Sequence, residues 1–277
     1  MKTRILLTAI MLLVITSMAQ AQAQAPGPEL HGFADLTFSS KYVWRGFDIY
    51  DDKSAIHPSV DLNYGGLGIN ITGHRANSGE FENGERWDYN PYYMGALFQD
   101  QDYAVQYRLG WVYYNFPDNS SGLADLQEAH AIFSLPKIIP GGLVPSYVLV
   151  KLWPSESGSL VASKVDLSAG QPSTGTASGW AHIFMLDYAL KTGSLLPETP
   201  EQVWNFHAEA VFNDGVGPGG QNVDHDWTNA VFGVSTNFDL AENVTLTPGL
   251  YHQITMDDSV NDDKDETWVS VGIKYKF

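Results

Sequence analysis

The stretch that decides the fold is WVSVGIKYKF, at residues 268–277. Apolar side chains at Val269, Val271, Ile273, Tyr275 and Phe277 alternate there with small or polar ones. A period of two is typical of a β-strand that has one apolar face and one wet face. Because the last residue belongs to the apolar face, the pattern predicts a strand that runs through Phe277 without a frayed polar end.

The same alternation recurs along most of the sequence. Residues 30–46 alternate over a length well beyond the roughly five or six residues of a strand in a globular protein. That length suits a tilted membrane strand of about 9–11 residues with an extension beyond the bilayer. We predict about twelve strands, at residues 30–46, 55–64, 67–75, 86–98, 103–115, 124–135, 143–153, 179–190, 203–213, 226–239, 244–254 and 266–277.

The predicted connections alternate between short and long. At one end of the predicted barrel the turns are short, and Gly65 with Gly66 is typical of a tight hairpin. The connection at 191–202 is the longer exception at that end. At the other end the loops are long and include 154–178 and 214–225. Short periplasmic turns and longer extracellular loops are typical of outer-membrane barrels. Seven tryptophans near strand ends fit aromatic girdles at the membrane interfaces. These features predict an all-β fold, an antiparallel transmembrane β-barrel with both termini on the periplasmic side.

A sandwich is the structural alternative to the barrel. It also alternates, but its apolar faces point into a core and it needs no aromatic residues at strand ends. A secreted sandwich or a soluble barrel therefore stays open as a second interpretation.

The first residues predict export. Lys2 and Arg4 precede an apolar run at residues 5–15, and small residues follow it, including Ala21 and Ala23. This order is typical of a secretory signal peptide, which we place at residues 1–23, with the barrel domain at 24–277. An uncleaved anchor is the alternative, but the run is short against the roughly 20 residues that span a bilayer. The predicted location is the cell outer membrane, with its lipid as a partner.

Composition narrows the functional classes. The formal net charge is −17, with 8 Trp, 14 Tyr and 13 Phe. Nucleic acid is excluded as a partner because phosphate binding needs clustered lysine and arginine. The chain has no cysteine, which excludes cysteine catalysis and a disulfide scaffold. The sequence indicates no cofactor, no metal site and no particular oligomeric state.

Three stretches carry a family resemblance: SKYVWRG at 40–46, GWVYYNFP at 110–117 and VGIKYKF at 271–277. Together they resemble the TorF family of porins, which are outer-membrane barrels of similar length. The resemblance covers the whole exported chain in architecture and only these stretches in motif, and it implies passive transport. The terminal Phe277, with Tyr275 before it, also resembles the signal that the barrel-assembly machinery reads on a last strand, which makes that machinery an expected partner.

Alternation also assigns charged side chains to the inner face. Glu128 with His130, and His207 with Glu209, are two residues apart and therefore share a face. The full set of candidate pore-lining residues is Asp35, Lys41, Arg45, Asp61, Arg108, Glu128, His130, Lys151, His207 and Glu209. One interpretation is a lumen whose charges set ion preference. The other is a salt-bridged interior that fills a barrel of intermediate size.

Two features raise other chemistries. Some twelve-stranded outer-membrane barrels are phospholipases with a His-x-Ser arrangement. His74 resembles the histidine of that arrangement, but here Ala76 stands two residues after it and Ser78 lies in a loop. Several acidic residues at 257–266 could hold calcium through hard oxygen ligands. The EF-hand order and its glycine are missing, so a solvated acidic loop is the favoured interpretation.

The sequence therefore predicts a porin-like channel for passive diffusion of small solutes or ions, without enzymatic activity. Acidic loops such as 76–85 and 255–265 should make it weakly cation-selective. The main alternative is a closed barrel whose acidic extracellular loops bind a ligand or a cell surface. A barrel hydrolase is a third possibility.

Overall fold

The computed structural model describes residues 29–119, 124–155, 177–193, 201–217 and 222–277. The predicted signal peptide at 1–23 and most of the predicted loop at 154–178 lie outside these ranges. Twelve strands form the wall: β1 (Leu30–Ser39), β4 (Ala55–Tyr64), β5 (Leu67–Ala76), β6 (Arg86–Leu97), β7 (Val105–Asn115), β8 (Leu126–Ser134), β9 (Leu143–Pro154), β10 (Ser178–Gly193), β11 (Glu201–Val216), β12 (Asn222–Thr236), β14 (Val244–Thr255) and β15 (Glu266–Lys276).

Three shorter strands and two short 3-10 helices complete the described chain. They are β2 (Val43–Trp44), β3 (Phe47–Asp48), β13 (Phe238–Ala241) and the helices Gly79–Gly84 and Asn261–Asp263. Within the described ranges no helix is long and apolar enough to cross a membrane.

The wall is a closed antiparallel sheet in which each strand pairs with its neighbours in sequence. It closes because β1 pairs with β15, and β12 pairs with β14. At the seam, Leu36 lies opposite Ile273, and the backbone groups of Gly32 and Phe277 exchange two hydrogen bonds of 2.9 and 3.0 Å. Closure leaves no unpaired sheet edge, which is the condition for a sheet in lipid. The predicted twelve-stranded barrel is confirmed.

The outer face is apolar, as the alternation predicts. Leu36, Phe38 and Val60 are 49%, 41% and 44% exposed, while their neighbours Thr37 and Ser59 are hydrogen-bonded inside. An outer face of exposed apolar side chains suits contact with lipid chains.

Turn chemistry explains where the chain reverses. Gly65 and Gly66 both have positive φ, at 59° and 90°, which is the geometry of a two-residue type I′ hairpin. On the other side of the wall, β10 and β11 remain paired out to Gly193 and Glu201. The predicted turn at 191–202 is therefore partly strand, and so is the predicted loop at 214–225, because β11 extends to Val216 and β12 begins at Asn222.

The first strand is much shorter than the sequence predicts. It was predicted over 30–46, but β1 ends at Ser39 and residues 40–54 turn into the barrel. We call this segment the inward loop. Its alternation resembles a continued strand because β2 and β3 pair as a small hairpin, Val43 with Asp48 and Trp44 with Phe47. The apolar face of that hairpin meets the lumen wall instead of lipid.

Candidate pore constriction

The inward loop begins from a tight turn. Arg45 and Gly46 sit between the paired residues Trp44 and Phe47, with φ values of 53° and 90°. Two consecutive positive φ values form a type I′ turn. Such φ is strained for a residue with a side chain, so Arg45 needs outside contacts to hold it there.

Strands β6 to β8 supply those contacts on one side of the lumen. The Arg45 guanidinium donates to the Glu128 carboxylate at 2.6 Å, and the Tyr114 hydroxyl donates to the same carboxylate at 2.7 Å. Trp44 packs against the Tyr114 ring at a centroid distance of 5.1 Å. Arg86 lies over the Trp44 ring at 3.8 Å, a distance typical of a cation–π contact.

Strand β14 and the loop that follows it hold the hairpin from the other side. The Gln253 side-chain amide donates to the Gly46 carbonyl at 2.8 Å. The Asp48 amide donates to the Asn261 side chain at 3.0 Å. A methyl group on Gly46 would lie 2.9 Å from Asn229 of β12. The hairpin is therefore fixed on opposite walls and crosses the lumen at the end of the barrel that carries the long loops.

A lysine ties the base of the inward loop to the last strand. Lys41 forms ion pairs with Asp52 and, at 2.6 Å, with the buried Glu266. Burial disfavours the charged ammonium, but hydrogen bonds to these two carboxylates outweigh it, and the pKa of Lys41 is raised. Asp48, Asp52 and Glu266 come close enough together to hold a cation. Because the Lys41 ammonium already binds two of the three, this cluster needs no metal ion.

Two tyrosines of the inward loop are buried against β5 and β6. The Tyr50 hydroxyl donates to the carbonyls of His74 and Gly84, both at 2.9 Å, and burial raises its pKa. The Tyr42 ring stacks on His74 at 4.7 Å. Burial likewise raises the pKa of Asp48, partly offset by backbone donors of Asp52 and Tyr50.

Beneath Tyr42 runs a chain of hydrogen bonds that no pattern in the sequence predicts. Ser39 bonds His57 at 2.8 Å, His57 bonds His74 at 2.9 Å, and His74 bonds Asp88 at 3.0 Å. The considered His74–Ser78 arrangement does not form part of it. Ser39 is buried beneath the inward loop, so the chain supports the loop and offers no exposed nucleophile. Its members lie on four strands, and no local motif marks them.

Nine of the ten candidate pore-lining residues share the inner side of the wall or the inward loop. Glu128 contacts His130 at 3.3 Å, and His207 contacts Glu209 at 3.5 Å and Asp187 at 2.7 Å. The predicted pairs are thus in contact. The remaining inner-side candidates are Asp35, Lys41, Arg45, Asp61 and Arg108.

Lys151 is on the other face. Its neighbours Val150 and Leu152 are buried inside, and in the register Lys151 lies opposite Ala129 and Trp180. Its ammonium is 5.3 Å from the Trp180 ring, which is 42% exposed on the outer surface. This placement corrects the assignment of Lys151 to the lumen. Trp44 is corrected in the opposite direction, because it packs inside the lumen and not in an outer aromatic girdle.

The inner wall differs from one half to the other. Strands β1 and β4 to β8 carry most of the charged and amide groups, whereas β9 to β11 present Val148, Val150, Ile183 and Val211. Beneath the hairpin, a cavity of about 310 Å³ lies between these halves, next to Arg108 and Ile132. A second cavity of about 310 Å³ lies nearer the short-turn end, lined by His207 and Tyr251 among others. The lumen therefore contains open volume on the far side of the constriction.

The predicted assembly residues lie at the seam. Tyr275 and Phe277 are exposed on the outer face, and their rings stack at 6.2 Å. The Phe277 ring lies over Gly32 of β1, where a Cβ atom would come within 2.6 Å of it. The terminal aromatic residue thus covers the junction between the first and last strands.

Comparison with known proteins gives a consistent fold. No family model and no curated protein sequence matches the chain. Among solved structures, the chain is similar to the KdgM porin, at 9% identity with a TM-score of 0.51, covering 88% of this chain and 99% of that one. It is also similar to the NanC porin, at 11% identity with a TM-score of 0.51, covering 88% of this chain and 100% of that one. The fold is that of a porin-type outer-membrane barrel. At these identities the likeness concerns the fold alone, and the TorF resemblance stays a prediction.

Proposed function

We propose that the protein is an outer-membrane channel for passive diffusion of small solutes and ions. The observation that carries this proposal is a lumen with two cavities of about 310 Å³, narrowed by the inward loop. A barrel whose interior served only to fill space would leave little such volume. The apolar outer face and the porin-like fold support location in the outer membrane. Export by the predicted signal peptide belongs to the same proposal.

The remaining features fit a channel and not an enzyme. The Tyr42 ring packs on both histidines of the serine–histidine chain, and Ser39 is itself buried. The exposed Tyr275 and Phe277 at the seam support recognition of the last strand by the barrel-assembly machinery. The three quoted motifs support membership of the TorF family.

We further propose weak cation selectivity. Most inner cations are neutralised by neighbours, since Arg45 pairs with Glu128, Arg86 with Asp88, and Lys41 with Glu266. The long-loop end carries an excess of acidic residues: Glu80, Glu82, Glu85, Asp257, Asp258, Asp262, Asp263 and Asp265. An acidic entrance concentrates cations within about 8 Å at physiological salt.

A reversal-potential measurement tests this proposal. In a planar bilayer with a KCl gradient, we expect a conducting barrel with modest preference for K⁺ that fades as salt rises. Replacing Asp257, Asp258, Asp262 and Asp263 by Asn should lower the preference for K⁺ at low salt, because it removes negative charge from the entrance. Replacing Asp100 and Asp102, which lie in a short turn at the other end, is the control. Anion preference at low salt would contradict the entrance argument.

The second candidate function is a closed barrel whose loops bind a ligand. It is favoured by the hairpin contacts on opposite walls, through Glu128 and Gln253. The same bilayer experiment separates the two, because a barrel sealed by the inward loop passes no current.

A further inference from the structure

The cavity beneath the hairpin has a polar side and an apolar side. Asn90 and Arg108 line it from β6 and β7, while Val112, Ile132 and Val148 line it from β7 to β9. Most of the other lining residues are polar, and the two carboxylates among them, Asp88 and Glu128, already bind the side chains of Arg86 and Arg45. A cavity that combines an apolar wall with polar groups able to fix a ligand's orientation can serve as a small-molecule site. The question is which ligand these groups would bind.

Arg108 differs from the other arginines inside the barrel. Arg45 donates to Glu128 at 2.6 Å and Arg86 to Asp88 at 2.7 Å. Across the described residues, no carboxylate forms an ion pair with Arg108. Its Nε atom is buried and lacks a hydrogen-bond partner. A buried donor without an acceptor costs free energy of folding. An anion that accepted a hydrogen bond from this guanidinium would remove that cost.

Stacking fixes the direction of that guanidinium. Its central carbon lies 3.7 Å from the centre of the Tyr92 ring, and the Tyr92 hydroxyl is held by Asp61 at 2.8 Å. A guanidinium stacked on a ring keeps its N–H groups in the plane, free to form a fork. Carboxylates match this fork with two parallel hydrogen bonds.

Asn90 supplies the complementary group. Its Oδ1 atom is buried and has no donor. On the facing strand, Gly110 leaves room for it, since a Cβ there would come 3.0 Å from Asn90 Oδ1 and closer still to the His130 ring. An acceptor atom and a guanidinium N–H that both lack a hydrogen-bond partner thus line the same cavity, and a ligand that carries a hydroxyl group and a carboxylate would satisfy both.

We propose that this cavity binds small hydroxylated carboxylates. The carboxylate accepts hydrogen bonds from Arg108, a hydroxyl donates to Asn90 Oδ1, and the carbon chain lies along Val112, Ile132 and Val148. The proposal rests on the proposed channel function for its biological meaning, because it names a class of solute held on the way through the lumen. It is compatible with weak cation selectivity, which is set by the charge of the entrance and not by one internal site.

Calorimetric titration of D-gluconate into the folded barrel in detergent tests the site directly. We expect saturable binding, and none for D-glucitol, which has the same carbon skeleton without the carboxylate. Arg108→Gln should weaken binding about tenfold, as for loss of a charge-assisted hydrogen bond. Asn90→Leu should weaken it about fivefold, as for loss of a neutral one. Lys274→Gln is the matched control, because Lys274 is an inner-face cation near Phe33, on β15.

The outcomes separate the site from the channel. Equal binding of D-glucitol and D-gluconate overturns the proposal, and so does an Arg108→Gln variant that binds gluconate as well as the parent or a Lys274→Gln variant that loses as much. Heat-modifiable migration of each variant shows that it has folded. KCl conductance is recorded on the same samples: current without gluconate binding removes this site alone, whereas binding without current removes the channel function and leaves the site.

Discussion

Gly46 is the residue on which the seating of the inward loop depends most directly. Its φ is 90°, its carbonyl accepts from Gln253 at 2.8 Å, and it has no room for a side chain beside Asn229 and Val260. A left-handed conformation costs a residue with a Cβ atom roughly 1–2 kcal/mol. The close approach to Asn229 adds to that cost.

Gly46→Ala should therefore unseat the hairpin more often. A change of about 1.4 kcal/mol is tenfold in population, so we expect the unseated state to be roughly ten times more frequent. Single-channel recording would show this as more frequent steps to a larger conductance. Gly79→Ala is the control, because nothing lies within 4 Å of a Cβ at that position. Identical traces for both variants would mean that the hairpin does not limit the current.

The face on which a side chain lies could be predicted from the sequence at most positions. Alternation placed Asp35, Asp61, Arg108, Glu128 and His207 on the inner side because a strand has only two faces. It failed for Lys151, because apolar residues such as Val148 and Leu149 occupy both faces of β9 and leave the alternation ambiguous there. The structure gives this residue an aromatic neighbour, Trp180, on the outer face. The chain from Ser39 to Asp88 could not be predicted, because its contacts depend on the register between four strands.

Strands are the scale at which the sequence was most informative. Period two is visible without neighbours, so all twelve wall strands were found, and the Gly65–Gly66 turn followed from its composition. Strand ends were less predictable, because β10 and β11 remain paired over 16 residues each, past the predicted ends, in a stretch that has no special pattern. The inward loop was read as strand because its hairpin is itself a strand pair.

Facing can be tested on β4. Val60 is exposed on the outer face, whereas Ser59 accepts hydrogen bonds inside from Asn70 and Thr72. Val60→Arg should destabilise the barrel by roughly 2–4 kcal/mol if it lies near the bilayer midplane. Ser59→Arg should cost much less, because its side chain reaches the wet lumen. Denaturant titration in lipid vesicles measures both, and equal losses would refute the assigned register.

On the scale of the whole molecule, the seam between β1 and β15 determines whether the barrel exists at all. Phe277 contributes two backbone hydrogen bonds to Gly32 and a ring that covers it. Removal of Phe277 should impair insertion while secretion continues, because the last strand loses both its pairing and its terminal aromatic group.

Cell fractionation measures this outcome. The truncated chain should accumulate in the periplasm and lose its heat-modifiable migration. Phe98→Ala is the control, since Phe98 is also an exposed aromatic residue but lies in a turn away from the seam. A truncated chain that reached the outer membrane in normal amount would show that the seam closes without its final residue.

The inward loop also has a consequence for the order of folding. Its anchors are remote in sequence: Arg45 to Glu128 spans 83 residues, Gly46 to Gln253 spans 207, and Lys41 to Glu266 spans 225. Contacts with such separation raise the contact order and are slow to form, because closing each long segment costs chain entropy first. The hairpin can therefore dock only after β14 and β15 are in place. A newly closed barrel passes through a stage in which its lumen is wider than in the finished protein.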